Sequence, residues 1–416
     1  VPNQNSFGHM QDWLARREFR ELAECPEGFQ REGFSEVREP TTLNPLDPGS
    51  LELIKDQYQD LLPNFISDLF NVGCDETWEL GQGKSREACN ENGTGRVYLD
   101  FLLKIYDLVQ ERDKKMMFWG DIIMQYPELI PELPTDIIAL EWGYEADHPF
   151  ARDGKRFKES GIPFYVCPGT SSWNSIAGRT ENMRANLVNA AVNGQKYGAE
   201  GYLITDWGDN GHWQYLPVSY PGYAYGAALS WNVKDNQEID LAAYLDRLVF
   251  RDNSDKMGQF VLNLGNYYQK EDKIVHNSTN IVRILYSEFD NMEPVENMSE
   301  KGLENVVEYT AELINDLDQT DMNCEDAALI EDEFRNALKM IEHGVDLGLV
   351  KLKMLREEYD LDLKKMLEIM IDDISLLIKN HQQLWLSRNR YSNLDHSLEQ
   401  FYNLKEEYLD YYQKKF

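Results

Sequence analysis

A chain of 416 residues is long enough for two domains, and its 42% apolar and 12% aromatic content is ample for a packed core and too high for a disordered chain. The formal net charge of -32 repels polyanions, which excludes nucleic acid and anionic membrane surfaces as partners. No apolar run reaches the ~18 residues of a membrane span, and the five cysteines, Cys25, Cys74, Cys89, Cys167 and Cys324, are scattered and odd in number, which suits a reduced cytoplasm better than a disulfide scaffold.

In chain order, residues 1–10 read as a strand end followed by a polar loop holding Asn3, Gln4, Asn5, Ser6 and His9. A helix is expected from Gly49 to Asp68, after the turn-forming stretch around Pro45 and Pro48. The next stretch, Leu69-Phe70-Asn71-Val72-Gly73-Cys74-Asp75-Glu76-Thr77-Trp78, is the one that matters most. It is a short apolar run that stops at two adjacent carboxylates, the way a β/α barrel presents catalytic groups at the C-terminal rim of its sheet. Neighbouring residues on an ideal strand point to opposite faces, so both acids share a cavity only if the strand is already ending, a bend that Gly73 permits. The plain alternative is a strand-to-loop junction with solvated acids.

From Arg96 to Arg112, apolar residues Tyr98, Phe101, Leu102, Ile105, Leu108 and Val109 recur at a helical period. Four more short apolar runs follow. Met116–Trp119 ends in Gly120-Asp121, Ile137–Leu140 ends in Glu141-Trp142-Gly143-Tyr144, Phe164–Cys167 leads on to Trp173, and Tyr202–Thr205 ends in Asp206-Trp207-Gly208-Asp209. A helix over Arg179–Tyr197 separates the last two. The runs are continuous rather than alternating, as for parallel strands buried on both faces. A doubly wound sheet binds at one switch point, whereas here every strand end carries Trp, Asp, Glu or Tyr, which favours a barrel rim. After about Asn236 the chain turns to long acidic helical stretches, with helices expected over Cys324–Tyr359 and Leu361–Asn380, and Leu363, Met366, Met370, Ile374 and Leu377 on one face. Methionine and tyrosine stripes of that kind are core, and the charges are solvated faces.

Single tryptophans are large core residues. Several at one rim beside two acids, namely Trp119, Trp142 and Trp207 at strand ends and Trp173 and Trp213 in adjoining loops, read instead as a floor for the flat apolar faces of a sugar. With no pair of histidines at ligand spacing, Asp75-Glu76 makes a poor metal site, so neither metal nor cofactor is expected. Adjacent acids cannot flank a glycosidic bond as the usual separated pair does. They can divide labour on one face, one protonating the leaving oxygen and the other orienting a nucleophile within the substrate. Cys74 reads as a small packing residue. His148 and His212 lie in strand-end loops, open to either a structural or a substrate role.

Asn71-Val72-Gly73-Cys74-Asp75-Glu76 resembles the H-x-G-G-D-E signature of glycoside hydrolase family 20, the β-N-acetylhexosaminidases, departing at Asn71 and Cys74. Residues 1–9 are similar to the family's segment after strand three, with His9 as its histidine, and Trp207-Gly208-Asp209 resembles its Trp-x-Glu, with Asp for Glu. Residues 142–145 and 206–213 look closest to the hexosaminidase D-like branch, which includes enzymes with a helical C-terminal domain. The resemblance covers roughly residues 1–235 and implies a (β/α)8 TIM-type barrel over 1–235, with its first strands outside this sequence, followed by an all-α domain over 236–416. It implies hydrolysis of terminal β-linked N-acetylhexosamine, with glycans as partners. Glu76 is then the general acid/base, and Asp75 the group that holds the 2-acetamido substituent and stabilises an oxazolinium ion. His9 supports the pair, Trp119, Trp142 and Trp207 line the pocket, and Asp209 binds the outer hydroxyls. Tyr144, with Tyr165 second, is the expected partner of the acetamido oxygen, and Trp173 a further wall. Unpaired strand edges in a barrel lacking its first strands favour association with a second copy. A non-catalytic amino-sugar-binding protein on an incomplete barrel is the other reading.

Overall fold

Side chains alternate across a strand, so a continuous apolar run must be covered on both sides. In the computed structural model, which describes residues 1–30, 37–359 and 361–416, five of the expected runs are such strands. They are β3 (Leu69–Asn71), β4 (Lys115–Trp119), β5 (Ile138–Trp142), β6 (Phe164–Cys167) and β7 (Gly201–Tyr202). They form one sheet in the order β3-β4-β5-β6-β7, every neighbouring pair parallel. A sheet whose spatial order follows the sequence without reversal has no switch point, so this is part of a β/α barrel and not a doubly wound sheet. Asn3 adds a single parallel bridge to Asn71, which makes the expected strand end at the start of the chain a one-residue pairing. A separate antiparallel pair, β1 (Phe29–Gln30) and β2 (Val37–Arg38), was not signalled by the sequence pattern.

The chain divides into two units, one of Val1–Gly143, Pro149–Cys167 and Ala190–Leu203, the other of Tyr144–His148, Pro168–Asn189 and Ile204–Phe416. The first holds the sheet. On one face Phe70, Met116, Phe118, Ala139, Phe164 and Val166 pack with Tyr98, Phe101, Leu102 and Ile105 of the helix Thr94–Gln110 and with Phe157 of the helix Phe150–Ser160. On the other face Met117, Trp119, Ile138, Leu140 and Cys167 form a separate cluster, with Leu69, Trp142 and Tyr165 at its margin. The helix expected over Gly49–Asp68 is Pro48–Leu61, begun by Pro48 at its first position and by Asp47 capping Gly49 N. It ends early because Pro63 falls in the next turn, which is 3-10.

The second unit is largely helical. Long helices run over Glu300–Leu317, Ala327–Leu355, Leu361–Arg388 and Leu394–Lys415, each packing on the next in sequence. On Leu361–Arg388 the buried stripe is Leu363, Leu367, Met370, Ile374, Leu377, Ile378, His381 and Leu384. Leu367 takes the place expected of Met366, which is half-buried. No helix among the described residues is long and apolar enough to cross a membrane.

Candidate active site

The end of β3 is turned by its own residues. The Asn71 side chain accepts from Gly73 N at 3.0 Å, while its backbone bonds Pro2 and Gln4 of the opening segment. Gly73, Cys74 and Glu76 all have positive φ, at 69°, 70° and 49°. For Cys and Glu that conformation costs of order 1–3 kcal/mol each and survives only if the surroundings impose it. Trp119 N donates to Gly73 O, the buried Tyr98 hydroxyl to Cys74 O at 2.9 Å, and Glu76 N to Asp121 Oδ2 at 3.2 Å. Cys74 sits fully buried in the core, as its size suggests.

This turn is what brings two adjacent acids to one partner. His9, itself at φ 55°, places Nε2 3.3 Å from Asp75 Oδ2 and 3.3 Å from Glu76 Oε2. Burial alone would lower the His9 pKa, but its bonds to Asp75 and Glu76 and their charges outweigh burial and raise it to about 10. His9 is therefore an imidazolium at neutral pH, and its Nε2 bridges the two acidic side chains. Gly8 makes the approach possible, since a Cβ there would lie 2.1 Å from Asp75 O. Trp119 and Trp142 stand at the C-terminal ends of β4 and β5, on the face that also carries Met117, Ile138 and Leu140, with Trp119 paired to Leu140 in register. Tyr165 is half-buried at the margin of the same cluster.

Asp121, two residues beyond β4, was seen in the sequence only as a strand-end acid. Desolvation first, then the charge of Asp75, raises its pKa to about 8 against the pull of the Glu76 N–H and the nearby Trp142 indole.

In the second unit the Trp207 indole donates to the Tyr144 hydroxyl at 2.9 Å, and Trp173 meets the Tyr144 ring edge-on at 4.9 Å. Trp173 is 1% exposed, so it backs Tyr144 and offers little surface of its own, whereas Trp207 is 36% exposed. Asp209 is exposed and accepts from Asn174 Nδ2 at 3.4 Å. Trp213 belongs to the helical core, stacked on Phe401 with its indole donating to Ser397 O, which removes it from the rim aromatics.

Two supporting sets escaped sequence reading. Asn182, Asn186 and Asn189 lie at steps of four and three on one face of the helix Thr180–Tyr197. Their side chains bond the backbone of Tyr144, Glu145, Ala146 and His148 and, through Asn186, Gly169 N. Asp206 collects four hydroxyls within 3.0 Å, from Thr170, Ser172 and Ser219 on Oδ1 and Tyr223 on Oδ2, which anchors the start of the Trp207–Asp209 loop. The asparagine spacing was visible in the sequence, but nothing local marks Asp206 as a hub.

Residues 1–189 match the family model described as Glycosyl hydrolase family 20, catalytic domain. That match makes residues 1–189 similar to the catalytic domain of that family. The matched segment contains the turned acidic pair, His9, Asp121, Trp119, Trp142, Tyr144 and Trp173. Among proteins, Hexosaminidase D of Bos taurus is 26% identical over 252 residues, covering 54% of this chain and 68% of that protein. Among solved structures, a family 20 exo-β-N-acetylglucosaminidase of Vibrio harveyi in complex with N-acetylglucosamine is 15% identical, covering 43% of this chain and 27% of that one, with a TM-score of 0.33. A family 89 glycoside hydrolase of Clostridium perfringens in complex with PUGNAc is 12% identical, covering 97% of this chain and 46% of that one, with a TM-score of 0.50, a likeness of fold alone. The chain thus spans less than half the length of these two solved relatives.

Proposed function

We propose that this protein is a β-N-acetylhexosaminidase that removes terminal β-linked GlcNAc or GalNAc from glycans with retention of configuration. The observation that carries the reading is the single imidazolium bridging Asp75 and Glu76 at the end of a parallel strand in the segment that matches the family 20 model. Two carboxylates this close cannot work from opposite faces of the bond, so the nucleophile has to come from the substrate. The 2-acetamido oxygen attacks C1 while the C1–O bond to the leaving group breaks and Glu76 delivers its proton to that oxygen. Asp75 holds the acetamido N–H and balances the positive charge of the oxazolinium ion. Glu76 then takes a proton from water as the water adds to C1, which regenerates the acetamide and the acid. In this reading Trp119, Trp142 and Trp207 bind the sugar and its acetamido methyl, Trp173 fixes Tyr144, Tyr144 donates to the acetamido oxygen, and Asp209 binds the O4 or O6 hydroxyl.

The test is release of p-nitrophenol by the chain from the N-acetyl-β-glucosaminide, the N-acetyl-β-galactosaminide and the plain β-glucoside. Turnover of one or both N-acetyl substrates and none of the glucoside is expected, since the glucoside lacks the internal nucleophile. Equal turnover of all three would remove substrate assistance, and sugar binding without turnover would remove the enzyme.

A further inference from the structure

We propose that Asp121 is a positioning residue for this reaction, its carboxyl clamping the backbone N–H of Glu76 and so fixing where the Glu76 carboxyl stands. The inference rests on the reading of Glu76 as the acid. Glu76 holds φ 49°, a conformation that costs a glutamate free energy and has to be imposed from outside. On its C-terminal side the constraint is local, Trp78 N donating to Glu76 O at 2.8 Å. On its N-terminal side the amide points to Asp121 Oδ2 at 3.2 Å, from an element 45 residues away in sequence.

Asp121 is itself held. Trp119 N donates to Gly73 O and Gly120 N to Leu140 O, so both neighbouring strands fix the backbone that carries it. The groups facing its carboxyl are the Cys74 thiol, the Asp75 and Glu76 carboxylates, the Tyr98 phenol and the Trp142 indole. None of these is a cation. A permanently charged clamp would place its own negative charge beside the acidic pair and add repulsion at the site. Desolvation and the charge of Asp75 keep the Asp121 carboxyl protonated to about pH 8, so below that it accepts from Glu76 N as a neutral acid and adds no repulsion.

The experiment compares the whole chain with Asp121→Asn, which keeps volume and an acceptor, and Asp121→Ala, which keeps neither. Hydrogen exchange is followed on a peptide spanning Glu76, with kcat and KM on the aryl N-acetyl-β-glucosaminide. In Asp121→Ala the Glu76 amide should exchange at least about tenfold faster, and kcat should fall roughly 10–100-fold with KM changed less than about threefold. Asp121→Asn should recover most of both. Unchanged Glu76 exchange in the alanine variant, or an asparagine variant no better than alanine, would overturn the clamp. If the parent chain hydrolyses no N-acetylhexosaminide, the functional reading fails while exchange still decides the clamp. If Asp121→Ala does not fold, melting against pH decides it. Because the folded-state pKa is raised, the stability this carboxyl contributes is full below about pH 4 and lost as pH rises to about 8. Asp121→Asn should therefore gain on the parent across that window, and parallel curves would remove the neutral buried acid.

Discussion

His9 faces two carboxylates with one nitrogen, and that geometry fixes how it responds to pH. Its pKa rises from 6.5 to about 10, so the folded state keeps a proton that the unfolded chain gives up. The stability it contributes is full below pH 6.5 and lost as pH rises through about 10. The parent chain should accordingly melt above His9→Gln by a margin that shrinks steadily between those two values, and a margin that grows instead would contradict the imidazolium bridge. At Glu76 the proposed proton transfer makes a different kind of prediction. Glu76→Gln should lose about 10²–10⁴-fold in kcat on substrates with poor leaving groups and much less on activated aryl glycosides, which depart without a proton. Equal losses on both would take Glu76 out of the acid role. Asp75 and Glu76 were legible in the sequence because adjacency at a strand end is a local signal. Asp121 and Asp206 were not, since their partners lie 45 and 13–36 residues away and only the fold assembles them.

Elements supply the precision that residues alone lack. The opening segment meets the acidic turn backbone to backbone, and Gly8 is the point of contact. Gly8→Ala drives a Cβ into Asp75 O at 2.1 Å, which only a backbone shift can relieve. Overpacking of this kind costs about 1–3 kcal/mol, readable as a lower urea midpoint, and the shift should also weaken hydrolysis, because Asp75 moves with its carbonyl. The helix Thr180–Tyr197 does similar work for Tyr144. Asn186 donates to Glu145 O at 2.8 Å and accepts from Gly169 N at 3.0 Å, with no exposed surface. Asn186→Ala strands both backbone groups in the interior and should cost about 2 kcal/mol or more by denaturant unfolding. A variant as stable as the parent would show that the ladder is incidental. The strands that carry the first-unit site were readable as apolar runs, yet their ends were not. β5 continues to Trp142, two residues past its expected stop, because alternation keeps Ile138, Leu140 and Trp142 on one face. Tyr202–Thr205 gives only a two-residue β7 plus one bridge from Thr205 to Gly169. Trp213 shows the limit of reading aromatics from position, since sequence spacing cannot tell a rim from a helical core.

At the scale of the whole molecule, buried acids and buried histidines pull stability in opposite directions with pH. Asp121, Glu271 and Asp346 are raised, chiefly by desolvation, to about 8, 7 and 6, and each gains a proton in the fold before it would in the unfolded chain, so acid favours the fold at these sites. His343 and His381 act the other way. Both are buried in the helical unit, His343 beside the Tyr408 hydroxyl and His381 between Tyr215 and Ser397, and burial holds each near pKa 4. Because the folded-state values are depressed, the unfolded chain takes up protons first as pH falls from 6.5 toward 4. Stability tied to these histidines is full above that window and lost within it, by about 3 kcal/mol for each. The opposing terms hide this in the parent chain's own melting curve, so the comparison has to isolate one histidine. His343→Leu gives up the bond to Tyr408 and should be less stable than the parent at pH 7. With no imidazole to protonate, its deficit should shrink by about 3 kcal/mol between pH 6.5 and pH 4 in urea titrations. A deficit constant across that range would mean that His343 meets water or a negative partner in the fold, and that the packing of the helical unit around Tyr408 is looser than its full burial indicates.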